Sequence, residues 1–321
     1  MVGETSLFDV RGRSLPSPGT RIAAFLDAGP ADETHLRIDA YDATMQPIDA
    51  SKRALLHELT VSVFWPHRDL DLDFFIGLGK GYVAIDEIGR AMGSAMYFTM
   101  GDDFAMFGMM VTAPRLQTFG AGSWLLRQIM RDCAGRDLRL SATRSGYRLY
   151  ETAGFTPVAT IWQRQGITRR IHLPEPLPGL TLRPMDPGDA QALRDLDRIA
   201  YGADRGYVID ALSAPSEVLV AERAGVPCGF AMARRFGKGT VIGPVVAEDD
   251  RMAMRLVAPI VQRHEGQFLR IDTPVEAAEF QDFLAAAGMG AHDTVTEMRI
   301  GPHRRATTGP QVYGLAAQSL G

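Results

Sequence analysis

Thr112-Ala113-Pro114-Arg115-Leu116-Gln117-Thr118-Phe119-Gly120-Ala121-Gly122-Ser123 is the stretch on which the fold turns. It follows an apolar run at 104–111 with strand character and precedes Trp124, Leu125 and Leu126, which open an amphipathic helix expected over 123–133. Gly120 and Gly122 free the backbone of Cβ hindrance, so successive N–H groups can converge on one concavity at the positive end of the helix dipole. A pyrophosphate fits such a nest. A Gly-x-Gly ahead of a helix also serves as a plain strand-to-helix turn, so the order of the surrounding elements has to decide.

Working outward, strands are expected at 81–85, 91–100 and 104–111, joined by turns at 86–89 and 101–103. Such short connections make an antiparallel meander. Upstream, residues 35–41 alternate like a half-buried strand, and Asp49 or Ser51 can cap a helix running to about 64. Downstream come a strand at 138–142, a helix at 145–153 and a strand at 157–163. A Rossmann loop needs a parallel βαβ unit and a third glycine, and a Walker loop needs Gly-Lys-Ser/Thr; neither is present.

In this setting the loop resembles that of the GNAT superfamily of N-acetyltransferases, Gln/Arg-x-x-Gly-x-Gly/Ala after the fourth strand, through Gln117, Gly120 and Gly122. A second segment, Leu149-Tyr150-Glu151-Thr152-Ala153-Gly154-Phe155, is similar to the superfamily's Leu-Tyr-x-x-x-Gly-Phe helix and turn. The resemblance covers residues 35–166 and implies an α+β fold, a mixed, mostly antiparallel sheet flanked by helices. It also implies transfer of an acetyl group from acetyl-CoA to a primary amine by direct attack in a ternary complex, with no metal.

The resemblance assigns cofactor contacts to Met110, Val111, Thr112, Gln117, Thr118, Phe119, Gly120, Ala121, Gly122 and Ser123, the backbone N–H groups near Met110 and Val111 holding the thioester carbonyl. Tyr150 becomes the candidate general acid, and Tyr147 on the same helix face matches the pattern less well. A phenol with reference pKa about 10 faces a thiol near 8.5, so proton donation is uphill by roughly 2 kcal/mol, which positioning can offset. The general base is not legible: no Glu or Asp falls within 104–111, which leaves a water chain to Asp103, Glu58 or His67. Trp65-Pro66-His67-Arg68 lies where the resembled fold lines its acceptor pocket, although a lone histidine more often serves structure. The alternating aspartates Asp69, Asp71 and Asp73 read as a helix start rather than a metal site.

Three prolines within 174–178 mark a stiff linker, 171–179, beyond which the order of elements repeats. The expected division is an extension at 1–34, a catalytic domain at 35–170, the linker, a second GNAT-like domain at 180–300 and a tail at 301–321. The second copy is expected to be degenerate. Where its glycine loop should stand it carries Glu248, Asp249 and Asp250, which repel a pyrophosphate, and a phenylalanine in 278–289 is expected where the tyrosine would fall.

Composition closes off other classes. A formal charge of -4 from 34 basic and 38 acidic residues, without a long basic run, argues against nucleic acid as partner. No apolar stretch is long enough to span a membrane, and the first twenty residues lack the apolar core of a signal peptide. Two distant cysteines, Cys133 and Cys228, fit a reducing cytoplasm. A small-molecule amine is the expected substrate and a homodimer a further expectation. The rivals are a non-catalytic acyl-CoA-binding sensor and an enzyme acting on a protein amine.

Overall fold

The computed structural model describes residues 16–29 and 33–321; the remaining part of the expected N-terminal extension lies outside the described residues. The chain begins with α1 (Pro18–Asp27), the hairpin β1 (His35–Ile38) and β2 (Tyr41–Pro47), and helices α2 (Arg53–Ser62) and α3 (Asp69–Leu78). The meander β3 (Lys80–Asp86), β4 (Ala91–Met100) and β5 (Phe104–Thr112) follows. Then come α4 (Ala121–Asp132), β6 (Asp137–Ala142), α5 (Tyr147–Thr152) and β7 (Thr156–Ile167). The second half repeats the series with β8 (Leu180–Pro184), α6 (Ala190–Tyr201), α7 (Gly206–Ser213), β9 (Glu217–Arg223), β10 (Val226–Phe236) and β11 (Gly239–Ala247). It ends with α8 (Asp250–Arg263), β12 (Phe268–Thr273), α9 (Ala278–Ala286), β13 (Gly290–Ile300) and β14 (Gln311–Gly314).

Local chemistry explains the elements. In α4, Ala121, Trp124, Leu125, Leu126, Ile129 and Met130 are buried, an i, i+3, i+4 stripe that covers one face of the sheet. The first strand expected at 35–41 is instead a hairpin, because Asp39 adopts a positive φ of 58° and lets Ile38 pair directly with Tyr41. The aspartate run does open a helix: the Asp71 carboxylate accepts from the Arg68 backbone N–H at 2.9 Å at the start of α3.

The halves do not form two separate sheets. Strand order runs β1-β2-β3-β4-β5-β6-β13-β7-β12-β11-β10-β9-β8, so the last strand of each half lies inside the other. β13 pairs with β6 from Thr296↔Ala142 to Ile300↔Leu138, while β7 pairs with β12 from Trp162↔Thr273 to Ile167↔Phe268. Withdrawing one half would strip three backbone ladders at once, β6–β13, β13–β7 and β7–β12.

Both termini pack against the body of the protein where they are described, and Val312-Tyr313 is the point at which the sequence allowed the tail to pack. The extension contains α1, which packs Phe25 into the first core, and Arg131 donates to the Leu26 carbonyl at 2.8 Å. Residues 301–321 are no loose tail: Val312, Tyr313, Leu315, Ala316, Ala317 and Leu320 are all buried. The composition there offers little to bury on its own, and the gap beside β11 receives it, well beyond Val312-Tyr313.

Ionic groups are sealed under the C-terminal segment. Arg205, fully buried, makes two 2.8 Å bonds to the buried Asp197 carboxylate and donates to the Leu320 carbonyl at 2.7 Å. Breaking such a pair from one side leaves an uncompensated buried charge. Asp197→Ala should therefore cost about 3–5 kcal/mol in urea unfolding, whereas the exposed pair Arg198–Asp195 should contribute less than about 1 kcal/mol.

Candidate active site

The site is set by a short parallel pairing. β5 and β6 are bonded from Phe104↔Asp137 to Phe107↔Leu140 and separate beyond it. Immediately after that point β5 bulges: the register against β4 shifts between Ser94 and Met96, and Met109 takes a φ of 51°. Ser94 Oγ donates to the Met109 carbonyl at 2.8 Å and fixes the bulge. The backbone of residues 109–112 thus faces an opening rather than a neighbouring strand on the β6 side.

That opening is a groove of ≈ 510 Å³, lined by Val63, Trp65, Met110, Val111, Thr112, Gln117, Thr118, Gly120, Gly122, Ser123, Thr143, Ser145, Gly146, Leu149 and Tyr150. Gly120 has a φ of 93° and stands at the N-cap of α4, turning the first N–H groups of the helix toward the groove. A Cβ on Gly122 would lie 3.3 Å from Leu149 and from Thr112, so only glycine passes there without displacing the walls. Of the expected cofactor residues, Met110, Val111, Thr112, Gln117, Thr118, Gly120, Gly122 and Ser123 line this groove. Ala121 is buried inside α4 and Phe119 is exposed to solvent; neither lines it. Thr143, Ser145 and Gly146 line it without having been foreseen, because no signal in their sequence separates them from an ordinary turn.

A second cavity of ≈ 330 Å³ lies on the other side of Met110 and Tyr150, between the halves. The first half contributes Trp65, His67, Phe107, Ser141 and Gln163; the second contributes Phe236, Lys238, Arg270, Asp272 and Asp293. Gln318 and Ser319 of the C-terminal segment complete the wall. Groove and cavity share Val63, Trp65, Met110, Thr143 and Tyr150.

Tyr150 is 6% exposed and packs edge-on against Phe155 with ring centroids 6.0 Å apart. Burial holds its phenol well above the ordinary tyrosine range, so the hydroxyl keeps its proton at neutral pH. Tyr147 lines neither cavity, which separates the two tyrosines that sequence left in competition.

Trp65 and His67 both reach the second cavity. His67 is ringed edge-on by Trp65, Phe75 and Phe236 at 5.5–6.0 Å, and burial pushes its imidazole down to about 4. It is neutral at physiological pH and a poor proton acceptor. Glu58 and Asp103 are misplaced as candidates. Glu58 sits exposed on α2, and Asp103 pairs with Arg304 at 2.8 Å in the β4–β5 turn, roughly 20 Å of strand away from Met110.

The same splay occurs in the second half, where β11 meets β12 only at Thr240↔Leu269 and Val241↔Arg270. There β14 fills the gap, pairing with β11 from Val246↔Val312 to Ala247↔Gln311, and Leu315 N–H reaches the Asp272 carbonyl at 2.8 Å. Its helix start is also occupied: the Asp249 carboxylate caps Met252 N–H at 2.8 Å and Asp250 accepts from Tyr313 at 2.8 Å. Tyr150 is matched by Leu284, not by a phenylalanine, since Phe155 N–H→Tyr150 and Met289 N–H→Leu284 close equivalent turns. The expectation fell one residue short because Phe283 and Leu284 adjoin; the hydroxyl is absent either way.

Comparison with known proteins agrees with this architecture. Residues 193–314 match the family model described as an acetyltransferase (GNAT) domain, which falls on the half with the filled groove. The chain is 23% identical over 266 residues to the uncharacterized N-acetyltransferase YitH of Bacillus subtilis (strain 168), covering 80% of this chain and 91% of that protein. Among solved structures, an acetyltransferase candidate from Pyrococcus horikoshii superposes with a TM-score of 0.71 at 19% identity, over 89% of this chain and 98% of that one. A tandem GNAT protein from the clavulanic acid biosynthesis pathway superposes at 0.60 and 14%, over 81% and 99%. Residues 193–314 are thus similar to a GNAT acetyltransferase domain, and the chain has the fold of tandem GNAT proteins.

Protonation of His67 supplies a test of its burial. Between pH 6.5 and about 4 the unfolded chain binds the proton and the folded chain does not, so stability falls as pH falls, by about 1.4 kcal/mol per unit. Urea midpoints taken at about pH 7 and about pH 5 should differ less in His67→Phe than in the parent. Equal differences in the two proteins would contradict a buried neutral imidazole.

Proposed function

We propose that this chain is an N-acetyltransferase that uses acetyl-CoA to acetylate the primary amine of a small molecule by direct attack. The observation that supports this reading most is the junction of groove and cavity at Met110 and Tyr150. A donor laid in the groove and an acceptor held in the cavity would meet there, which is what a ternary-complex reaction needs. A sensor needs the groove alone. A cavity of ≈ 330 Å³ enclosed between two halves suits a small molecule better than a protein segment.

The groove fits the donor in kind: N–H groups at the start of α4 suit a pyrophosphate, and the bulged β5 edge suits a carbonyl and an amide-bearing arm. Acetyl-CoA supplies an activated acyl carbon with a thiolate leaving group. Backbone N–H groups near Met110 stabilise the oxygen as the tetrahedral carbon forms. The acceptor leaves its ammonium proton with bulk water on entering the cavity beside Trp65 and Phe107, where desolvation disfavours an ammonium. Its lone pair then forms the N–C bond, the C–S bond breaks, Tyr150 delivers a proton to the sulfur, and the proton that the nitrogen loses on becoming an amide restores the phenol. Burial raises the phenol, but the thiolate leaves into the same apolar surroundings and is raised with it.

Two variants test the reading. Ser123→Glu places a carboxylate in the first turn of α4 without disturbing its backbone, and acetyl-CoA affinity by calorimetry should fall at least about tenfold. Tyr150→Phe should lower kcat about 100-fold while leaving the KM for acetyl-CoA nearly unchanged. Unchanged turnover across pH 7 to 9 would remove Tyr150 from the reaction.

A further inference from the structure

Three side chains that line the acceptor cavity each carry a buried polar atom without a hydrogen-bond partner among the described residues: Ser141 Oγ, His67 Nδ1 and Gln318 Nε2. Buried polar groups are rarely left so, and three around one cavity indicate what its occupant must offer. Gln318 Nε2 is a donor only, and Ser141 Oγ can donate as well. The occupant therefore needs an oxygen that accepts hydrogen bonds.

The segment that carries Gln318 is held tightly. Arg234, itself buried, donates to the Ala316 carbonyl at 2.7 Å, Leu315 N–H is bound to Asp272, and Arg205 holds Leu320. Ser319 lies so close over β5 that a Cβ on Gly108 would meet its side chain at 2.4 Å. Residues 315–321 thus form a fixed wall, continuous with the strand that closes the second groove. A fixed wall presenting an unsatisfied amide is preorganised for recognition.

We propose that Gln318 is a specificity-determining residue for the acceptor, and that the acceptor is an amine carrying a hydrogen-bond-accepting oxygen a few carbons from its nitrogen. This rests on the acetyl-transfer reading above. Ser141 lies on β6 beyond its pairing with β5, beside Glu297 of β13, lines the same cavity as Gln318 and supplies a second contact for the same oxygen. Lys238 lines the cavity and forms no ion pair among the described residues, so a carboxylate oxygen would draw on it where a hydroxyl would not.

The experiment compares propylamine, 3-aminopropanol and 3-aminopropanoate by thiol release from acetyl-CoA and, separately, by ligand-observed NMR binding to the CoA-saturated protein. In the parent, the two oxygen-bearing amines should show a KM roughly tenfold below that of propylamine. In Gln318→Leu that preference should collapse toward unity, with the KM for acetyl-CoA and the thermal midpoint unchanged. Lys238→Ala should weaken 3-aminopropanoate alone if the oxygen belongs to a carboxylate, and neither amine if it belongs to a hydroxyl. A parent without the preference, or a Gln318→Leu variant that keeps it, overturns the assignment. Absence of thiol release with every amine defeats the transfer reading, and the NMR preference then still decides the role of Gln318.

Discussion

Everything distinctive in this protein depends on a parallel pair of strands that begins bonded and then separates. Four residues of β5 pair with four of β6, and the backbone beyond has no neighbour on that side. Unpaired peptide groups away from water are costly, so each must find a partner. The first half leaves them to a groove that a ligand can enter. In the second half β14 takes up that role, and what was a second groove becomes solid protein.

One duplication has therefore been resolved in two ways, and the difference follows from charge and chain length. Gly120 and Gly122 leave the start of α4 open, while Asp249 folds its own carboxylate over the start of α8. With that anion in place the second helix has no use for a phosphate. The C-terminal residues that fill the second groove continue into the cavity of the first, so the half that lost its groove supplies a wall of the remaining site. Exchange of β7 and β13 makes this contribution rigid, because neither half can move without breaking ladders in the other.

Burial sets the chemistry available at the junction. Tyr150 keeps its proton and His67 stays neutral, so the neck between groove and cavity carries no fixed charge from either residue. Charged side chains, Lys238, Arg270, Asp272 and Asp293, stand on the second-half side of the cavity. Such a division suits an acceptor with an apolar reacting end and a polar remote end.

Local sequence determined the elements and the donor loop by itself. The glycine spacing, the amphipathic stripe of α4 and the Leu149-Tyr150 turn each rest on contacts within about a dozen residues, and such patterns are written directly in the chain. It also separated the halves by charge at 248–250 against 117–122. Tertiary structure alone decided that Tyr150 rather than Tyr147 reaches the junction, that Asp103 and Glu58 do not, and that residues 311–321 belong to the core. The residues of the acceptor wall were illegible for the same reason: Gln318 and Ser141 line one cavity although more than a hundred and seventy residues of chain separate them, through a strand exchange that no local pattern encodes.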